Sequence, residues 1–244
     1  MSDIALRFDQ VGKSFAGTAA LAGFTLEVRR GEFFGLVGEN GSGKTTLIKC
    51  MLDFCDADSG SIEIFGVPHT GTAARAPVAF LPERFNPPFY LTGRDFLRYM
   101  LELYRAPYDE ARVAHTFEAL GLDPSALTRP ARTYSKGMTQ KLGLAACLLS
   151  GKELYVLDEP TSGLDPKARA LLKRELRELR HTRRTLFFTS HALADVAEMC
   201  DRMAIVHGGR LQFAGTPDEL LRRHGGGDLE QAFLACISDA AVAA

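Results

Sequence analysis

Gly38-Glu39-Asn40-Gly41-Ser42-Gly43-Lys44-Thr45 is the stretch whose reading decides the fold. The octet fits G-x-x-x-x-G-K-S/T, and its flanks supply the context that the pattern requires. Before it, Phe33–Val37 is an apolar run of strand length, and after it Lys44–Leu52 carries apolar residues at helical spacing. Strand, glycine-rich turn and helix together hold phosphate. The glycines let backbone N–H groups turn inward, the helix N-terminus adds its dipole, Lys44 reaches β- and γ-oxygens, and the Thr45 hydroxyl coordinates Mg²⁺. Two other Gly-Lys pairs fail the pattern: Gly12-Lys13-Ser14 has Arg7 where the first glycine belongs, and Gly151-Lys152 is followed by Glu153.

Further along, Leu154–Leu157 reads as a buried strand that ends in Asp158-Glu159. Two carboxylates at such a strand end face a site rather than a core. Asp158 suits the second shell of Mg²⁺, and Glu159 is placed to polarise a water attacking a γ-phosphorus. An acidic helix cap is the structural alternative. The strand Thr185–Ser190 leads to His191, a candidate γ-phosphate contact because strand C-termini in parallel sheets line the ligand crevice. Guanine reading through N-K-x-D is excluded: the asparagines are Asn40, inside the loop, and Asn86, followed by Pro87.

The chain opens with β-structure, Ile4–Phe8 and Phe24–Val28, and short strands follow at Ser61–Phe65 and Val78–Leu81. Prolines 82, 87 and 88 then introduce helical patterns over 92–104, 109–120 and 136–149, so residues of about 85–150 form a helical insertion. Strand–helix alternation returns beyond Gly151, with helices over 166–180 and 192–200, and argues for a parallel sheet. A hairpin around Gly208-Gly209, a short helix near 217–222 and a glycine-broken tail at 226–244 complete the chain. At 244 residues it suits one α/β domain with an inserted lobe. The net charge of −1 excludes a global field for nucleic acid or anionic lipid, and no apolar run approaches the ~20 residues that span a bilayer. No nucleic-acid partner and no direct membrane insertion are expected, and the chain is placed in the cytosol. Five scattered cysteines read as small buried hydrophobes in a reducing compartment.

In motif order and spacing, residues 4 to about 222 resemble the nucleotide-binding subunits of ATP-binding cassette (ABC) transporters. The resemblance implies an α/β, P-loop NTPase (RecA-like) core with an N-terminal antiparallel β-subdomain and an inserted α-helical subdomain, all within 1–225. Tyr134-Ser135-Lys136-Gly137-Met138 stands where that family has its L-S-G-G-Q signature, keeping the serine and second glycine, and the variant resembles bacterial exporter subunits. By the same resemblance, ATP with Mg²⁺ is bound through Phe15, Gly38, Asn40, Gly41, Ser42, Gly43, Lys44, Thr45 and Thr46. Phe15 stacks on adenine unless it is a core or hairpin residue. Ser135, Lys136, Gly137 and Met138 reach the γ-phosphate held by another copy, and Asp165 in Ser162-Gly163-Leu164-Asp165 lies at the dimer seam. Glu83, in Leu81-Pro82-Glu83, replaces the glutamine common at the Q-loop and is either a Mg²⁺ or water contact or a solvated loop acid. Arg84–Leu91 is the stretch assigned to the transmembrane partner.

The implied activity is ATP hydrolysis, catalysed by Lys44, Glu159 and His191, that drives export through separate permease subunits. The implied assembly is a homodimer or ABC heterodimer, peripheral on the cytoplasmic face of the inner membrane. A soluble ATPase with a non-membrane partner and an importer ATPase are the alternatives.

Overall fold

A computed structural model describes residues 3–224 and 227–242. In chain order the strands are β1 (Ile4–Phe15), β2 (Thr18–Arg29), β3 (Phe33–Val37), β4 (Ser59–Ile64), β5 (Val67–Pro68), β6 (Val78–Leu81), β7 (Leu154–Leu157), β8 (Thr185–Ser190), β9 (Arg202–His207) and β10 (Arg210–Gly215). The helices are α1 (Lys44–Met51), α2 (Thr72–Arg75), α3 (Gly93–Tyr104), α4 (Glu110–Ala119), α5 (Lys136–Leu149), α6 (Pro166–Arg180), α7 (Leu193–Met199), α8 (Pro217–Arg223) and α9 (Leu229–Val242). Contacts divide the chain into two units: one joins the chain up to Ala76 with that from Thr185 onward, and the other is Pro77–Arg184.

In the first unit, β1 pairs antiparallel with both β2 and β4, making the expected N-terminal antiparallel sheet. Both leading strands are longer than the sequence suggests. β1 continues past Phe8 through irregularities in register, with Gln10 at φ 50°, and the hairpin closes where Phe15 pairs with Thr18. The broken alternation hides this extension from a period-two reading.

The same unit contains a second sheet, in which β3 lies parallel to β8 on one side and to β9 on the other. Every residue of β3 and β8 is buried, as parallel strands covered on both faces should be. Gly35 in β3 admits α7 closely: a Cβ there would lie 2.7 Å from the Cys200 sulfur and 2.8 Å from Val196 Cγ1. The two sheets share an aromatic core. Phe187 of β8 stacks on Phe34 at 6.1 Å and meets Phe8 of β1 at 6.3 Å, while Phe8 takes Phe24 edge-on at 5.9 Å. Each fully buried ring contributes about 1.5–3 kcal/mol.

The second unit pairs β6 parallel with β7 and packs helices around them. Four of its helix starts follow the sequence closely because a polar side chain caps each one. Thr92, Asp109, Ser135 and Asp165 accept from the backbone N–H of Asp95, Arg112, Met138 and Ala168. Gly143 lets α5 approach β6, since a Cβ there would fall 2.5 Å from Leu81 Cδ1.

Two expectations require correction. The tail is not merely glycine-broken: α9 occupies most of it, and Ala232, Cys236 and Ile237 are buried. The cysteines are not all isolated and buried, because Cys55 and Cys200 are only partly covered and the Cys50 and Cys55 sulfurs lie 3.6 Å apart.

Candidate functional site

In the first unit, β3 delivers the chain into the loop 38–43, and α1 starts at Lys44. Gly38 is buried where a side chain has no room, because an added Cβ would strike the Val206 carbonyl and lie 2.5 Å from Ser42 Oγ. Gly41 and Gly43 take left-handed φ of 82° and 109°. Gly43 is the N-cap of α1 and provides no side-chain hydrogen bond, unlike the four polar caps of the second unit. The first N–H groups of a helix have no intrahelical acceptor, so this uncapped start concentrates donors and positive dipole at the loop.

Lys44 is 7% exposed. Its ammonium donates to the carbonyls of Gly38 at 2.6 Å and Glu39 at 3.0 Å, which bends the side chain back over its own loop. Ser42 Oγ is buried with no hydrogen-bond partner, an arrangement that a bound acceptor such as a phosphate oxygen would satisfy. Thr45 is exposed on the first helical turn and Thr46 partly so, while Asn40 is exposed in the loop.

Two neighbouring segments fix the loop. Gly209 N–H donates to the Ser42 carbonyl at 3.1 Å, and a Cβ on Gly43 would lie 2.5 Å from the Ala20 carbonyl of β2. The β1–β2 hairpin therefore runs against the loop, and Phe15 stands at its tip. Phe15 is 49% exposed, which rules out the core role and leaves its face available, with the Lys13 ammonium 5.4 Å from the ring centroid. In the parallel pair, Val37 lies opposite Ser190, so His191 leaves the same sheet edge as Gly38 and is exposed there.

In the second unit, Leu81 pairs with Leu157, and Asp158 N–H donates to the Leu81 carbonyl at 2.8 Å. Glu83 and the acidic pair thus leave one edge of β6–β7. Asp158 and Glu159 are 2% and 6% exposed, deeper than their place at a strand end suggested. Glu159 has φ 50°, unusual for a residue with a Cβ, and its carbonyl accepts from Ser162 N–H at 3.0 Å. Backbone of this kind is held in place by its surroundings and fixes where the carboxylate can go. Asp165 caps α6 through Ala168 N–H at 2.8 Å, and neither Asp158 nor Glu159 is a helix cap.

The second unit also gathers residues that the sequence reading treated separately. Glu83, Arg84, Phe85, Tyr134, Lys136, Gln140 and Ser162 line a groove of ≈560 Å³. Ser135 caps α5 with its oxygen 3.2 Å from Met138 N and is exposed, as is Lys136. The Lys136 side chain crosses Gly163, where an added Cβ would sit 3.0 Å from Lys136 Cε, and Gly137 lies near the Gly163 carbonyl. Tyr134 anchors the start of this segment by donating to the Ala126 carbonyl at 2.6 Å, and burial holds its phenol above the ordinary tyrosine range. Gln140 was missed: its buried Nε2 has no partner, and its place one turn beyond Lys136 on α5 was the available signal. Among the described residues no cluster of three His, Cys, Asp or Glu side chains makes a metal site, and no helix is long and apolar enough to cross a membrane.

The ABC transporter family profile matches residues 21–162. An uncharacterized ABC transporter ATP-binding protein of Nostoc sp. strain PCC 7120 is 38% identical over 205 residues, covering 83% of this chain and 61% of the relative. This chain therefore spans about six-tenths of that relative's length. The Nod factor export ATP-binding protein I of Paraburkholderia xenovorans is 32% identical over 237 residues, covering 96% of this chain and 78% of the relative. A solved structure of the ATP-binding subunit of an ABC transporter superimposes with a TM-score of 0.89 at 28% identity, covering 96% of this chain and 99% of that one.

Proposed function

Because this chain belongs to the ABC transporter family of ATP-binding proteins, we propose that it binds and hydrolyses Mg-ATP and drives separate membrane permease subunits in export. The observation that carries this reading is the loop 38–45, where a buried lysine folds back over left-handed glycines at the uncapped start of α1. The similarity to a protein named for Nod factor export, over nearly the whole chain, supports export as the direction.

On this reading Lys44 exchanges its two carbonyl acceptors for β- and γ-phosphate oxygens, which makes stronger, charge-assisted bonds. Backbone donors from Gly38 to Thr46 hold the phosphates, with Asn40 and Ser42 contributing from the loop, and Phe15 stacks on adenine. Thr45 would offer Mg²⁺ the hard oxygen donor that it prefers, with Asp158 in its second shell and Glu83 a further carboxylate, and the ion would supply neutralisation of the phosphoryl charge. Glu159 takes the proton of the attacking water, and His191 contacts the γ-phosphate. Ser135, with the backbone of Lys136, Gly137 and Met138, grips the γ-phosphate bound to a second copy or a related ABC chain, with Asp165 at the seam.

Loss of that bridging phosphate opens the dimer, and the opening passes to the permease through Arg84–Leu91. Phe89 and Tyr90 of that segment are 66% and 68% exposed, as docking residues would be. The assembly lies on the cytoplasmic face of the membrane.

The test is steady-state ATPase and equilibrium ATP binding of two variants. Glu159→Gln should lower kcat by about 10²–10⁴-fold with ATP affinity retained, and Lys44→Ala should lose binding and turnover together. Wild-type turnover in Glu159→Gln would sink the base assignment, and undiminished binding in Lys44→Ala would sink the phosphate-loop reading.

A further inference from the structure

At the far end of α1 from the phosphate loop, the helix stops in a left-handed turn at Asp53, φ 62°. Asp53 N–H donates to the Cys50 carbonyl at 3.0 Å and Phe54 N–H to the Lys49 carbonyl at 2.8 Å, so the chain folds straight back over the last helical turn. Arg75 holds the reversal from outside by pairing with the Asp53 carboxylate at 3.0 Å. The turn sets Cys55 against Cys50, with sulfurs 3.6 Å apart, an S–H···S contact between reduced thiols. A disulfide needs about 2.05 Å, so roughly 1.5 Å of approach separates the pair from a bond.

The two thiols are chemically unequal. Cys50 is completely buried, whereas Cys55 is partly exposed beside Phe54, which is 64% exposed. Burial, followed by the hydrogen bond with Cys55, pushes the Cys50 thiol up to about 12. The Lys13 ammonium feels both sulfurs: its ion pair with Asp58 is the main influence raising it, with smaller contributions from Cys55 and Cys50.

We propose that Cys50 and Cys55 form a reversible redox pair that hydroperoxides convert to an intramolecular disulfide at the end of the phosphate-loop helix. Cys55, the accessible sulfur, attacks the terminal peroxide oxygen as the thiolate. The O–O bond breaks, and the departing oxygen leaves with a proton as water or an alcohol. The Cys55 sulfenic acid is then attacked by the Cys50 sulfur, the S–S bond forms, and hydroxide leaves as water with the Cys50 proton. Two thiols lose two electrons, and one hydroperoxide gains them. The closed bridge ties the loop at 53–55 to the last turn of the helix that begins at Lys44. Cys147 and Cys236 are buried elsewhere.

The test is hydrogen peroxide treatment of the reduced full chain, followed by thiol alkylation, intact mass and peptide mapping. The expected product has lost about 2 Da, shows a Cys50–Cys55 cross-linked peptide with the other three cysteines alkylated, and returns to five alkylated thiols after dithiothreitol. Cys55→Ser, at a partly exposed position, should abolish the cross-link with its melting temperature unchanged. Cys50→Ser should leave a Cys55 sulfenic acid that dimedone captures. Alkylation of both Cys50 and Cys55 in peroxide-treated wild type, or an unchanged loss of two thiols in Cys55→Ser, would overturn the proposal. None of these readouts depends on ATP hydrolysis.

Discussion

Replacing Gly43 by alanine, with Gly41→Ala as its partner in the same loop, separates backbone conformation from packing. Both glycines have positive φ, 109° and 82°, so each alanine meets the left-handed penalty of about 1–2 kcal/mol. Each also gains about 0.4–1 kcal/mol from a stiffer unfolded chain, and that gain cancels in the comparison. The two differ in what surrounds the new methyl. At Gly41 nothing lies within 4 Å, while at Gly43 the Cβ would sit 2.5 Å from the Ala20 carbonyl and 3.1 Å from Leu21 Cδ2. Backbone cannot give way as a flexible side chain can, and overpacking of this kind costs about 1–3 kcal/mol. Gly43→Ala should therefore be less stable than Gly41→Ala by about 1–3 kcal/mol, read from urea unfolding midpoints at matched m-values. Equal midpoints would refute the claim that the β1–β2 hairpin packs hard against the phosphate loop.

Ser42→Ala removes a buried hydroxyl that has no partner, so the nucleotide-free protein should melt no lower than wild type while ATP affinity falls; a lower melting temperature with unchanged affinity would contradict this. Phe15→Ala should weaken ATP binding by about 1–3 kcal/mol in titration calorimetry while stability stays level, because the ring is half exposed. Asp58 is held below the usual carboxylate range, first by the Lys13 hydrogen bond and then by Ser14 N–H. A depressed folded-state pKa gives stability that is present above the unfolded value and lost as pH falls through the folded one. Asp58→Asn should accordingly flatten the acid side of a urea-midpoint profile, and an unchanged slope would count against the pairing.

Much of the candidate site was legible because the chemistry proposed for it demands rare residues at fixed spacing. Gly38, Gly43, Lys44 and Thr45 announce a phosphate loop, and Ser135 and Asp165 announce helix starts through the same side-chain oxygens that cap them. What escaped reading depends on contacts distant in sequence or on irregular backbone. The length of β1 is concealed where Gln10 breaks the alternation. The clamp of Ala20 and Gly209 on the loop involves backbone atoms, which leave no side-chain signature. Glu159 was found at a strand end, but neither its burial nor its left-handed φ follows from the letters around it. Cys50 and Cys55 read as unrelated until the turn at Asp53 reverses the chain. The helix α9 was hidden behind glycines that interrupt the pattern before it begins.

The most direct measurement is the mass in solution of Glu159→Gln with ATP, made with and without Ser135→Asp, by light scattering. Aspartate is as good an N-cap as serine, so α5 keeps its start while a negative charge replaces the hydroxyl that would meet the γ-phosphate. The single variant should become a dimer with ATP and stay a monomer with ADP, and the double variant should stay a monomer with both while melting at the same temperature. A dimer that forms with ATP despite the aspartate would contradict the shared grip on the terminal phosphate.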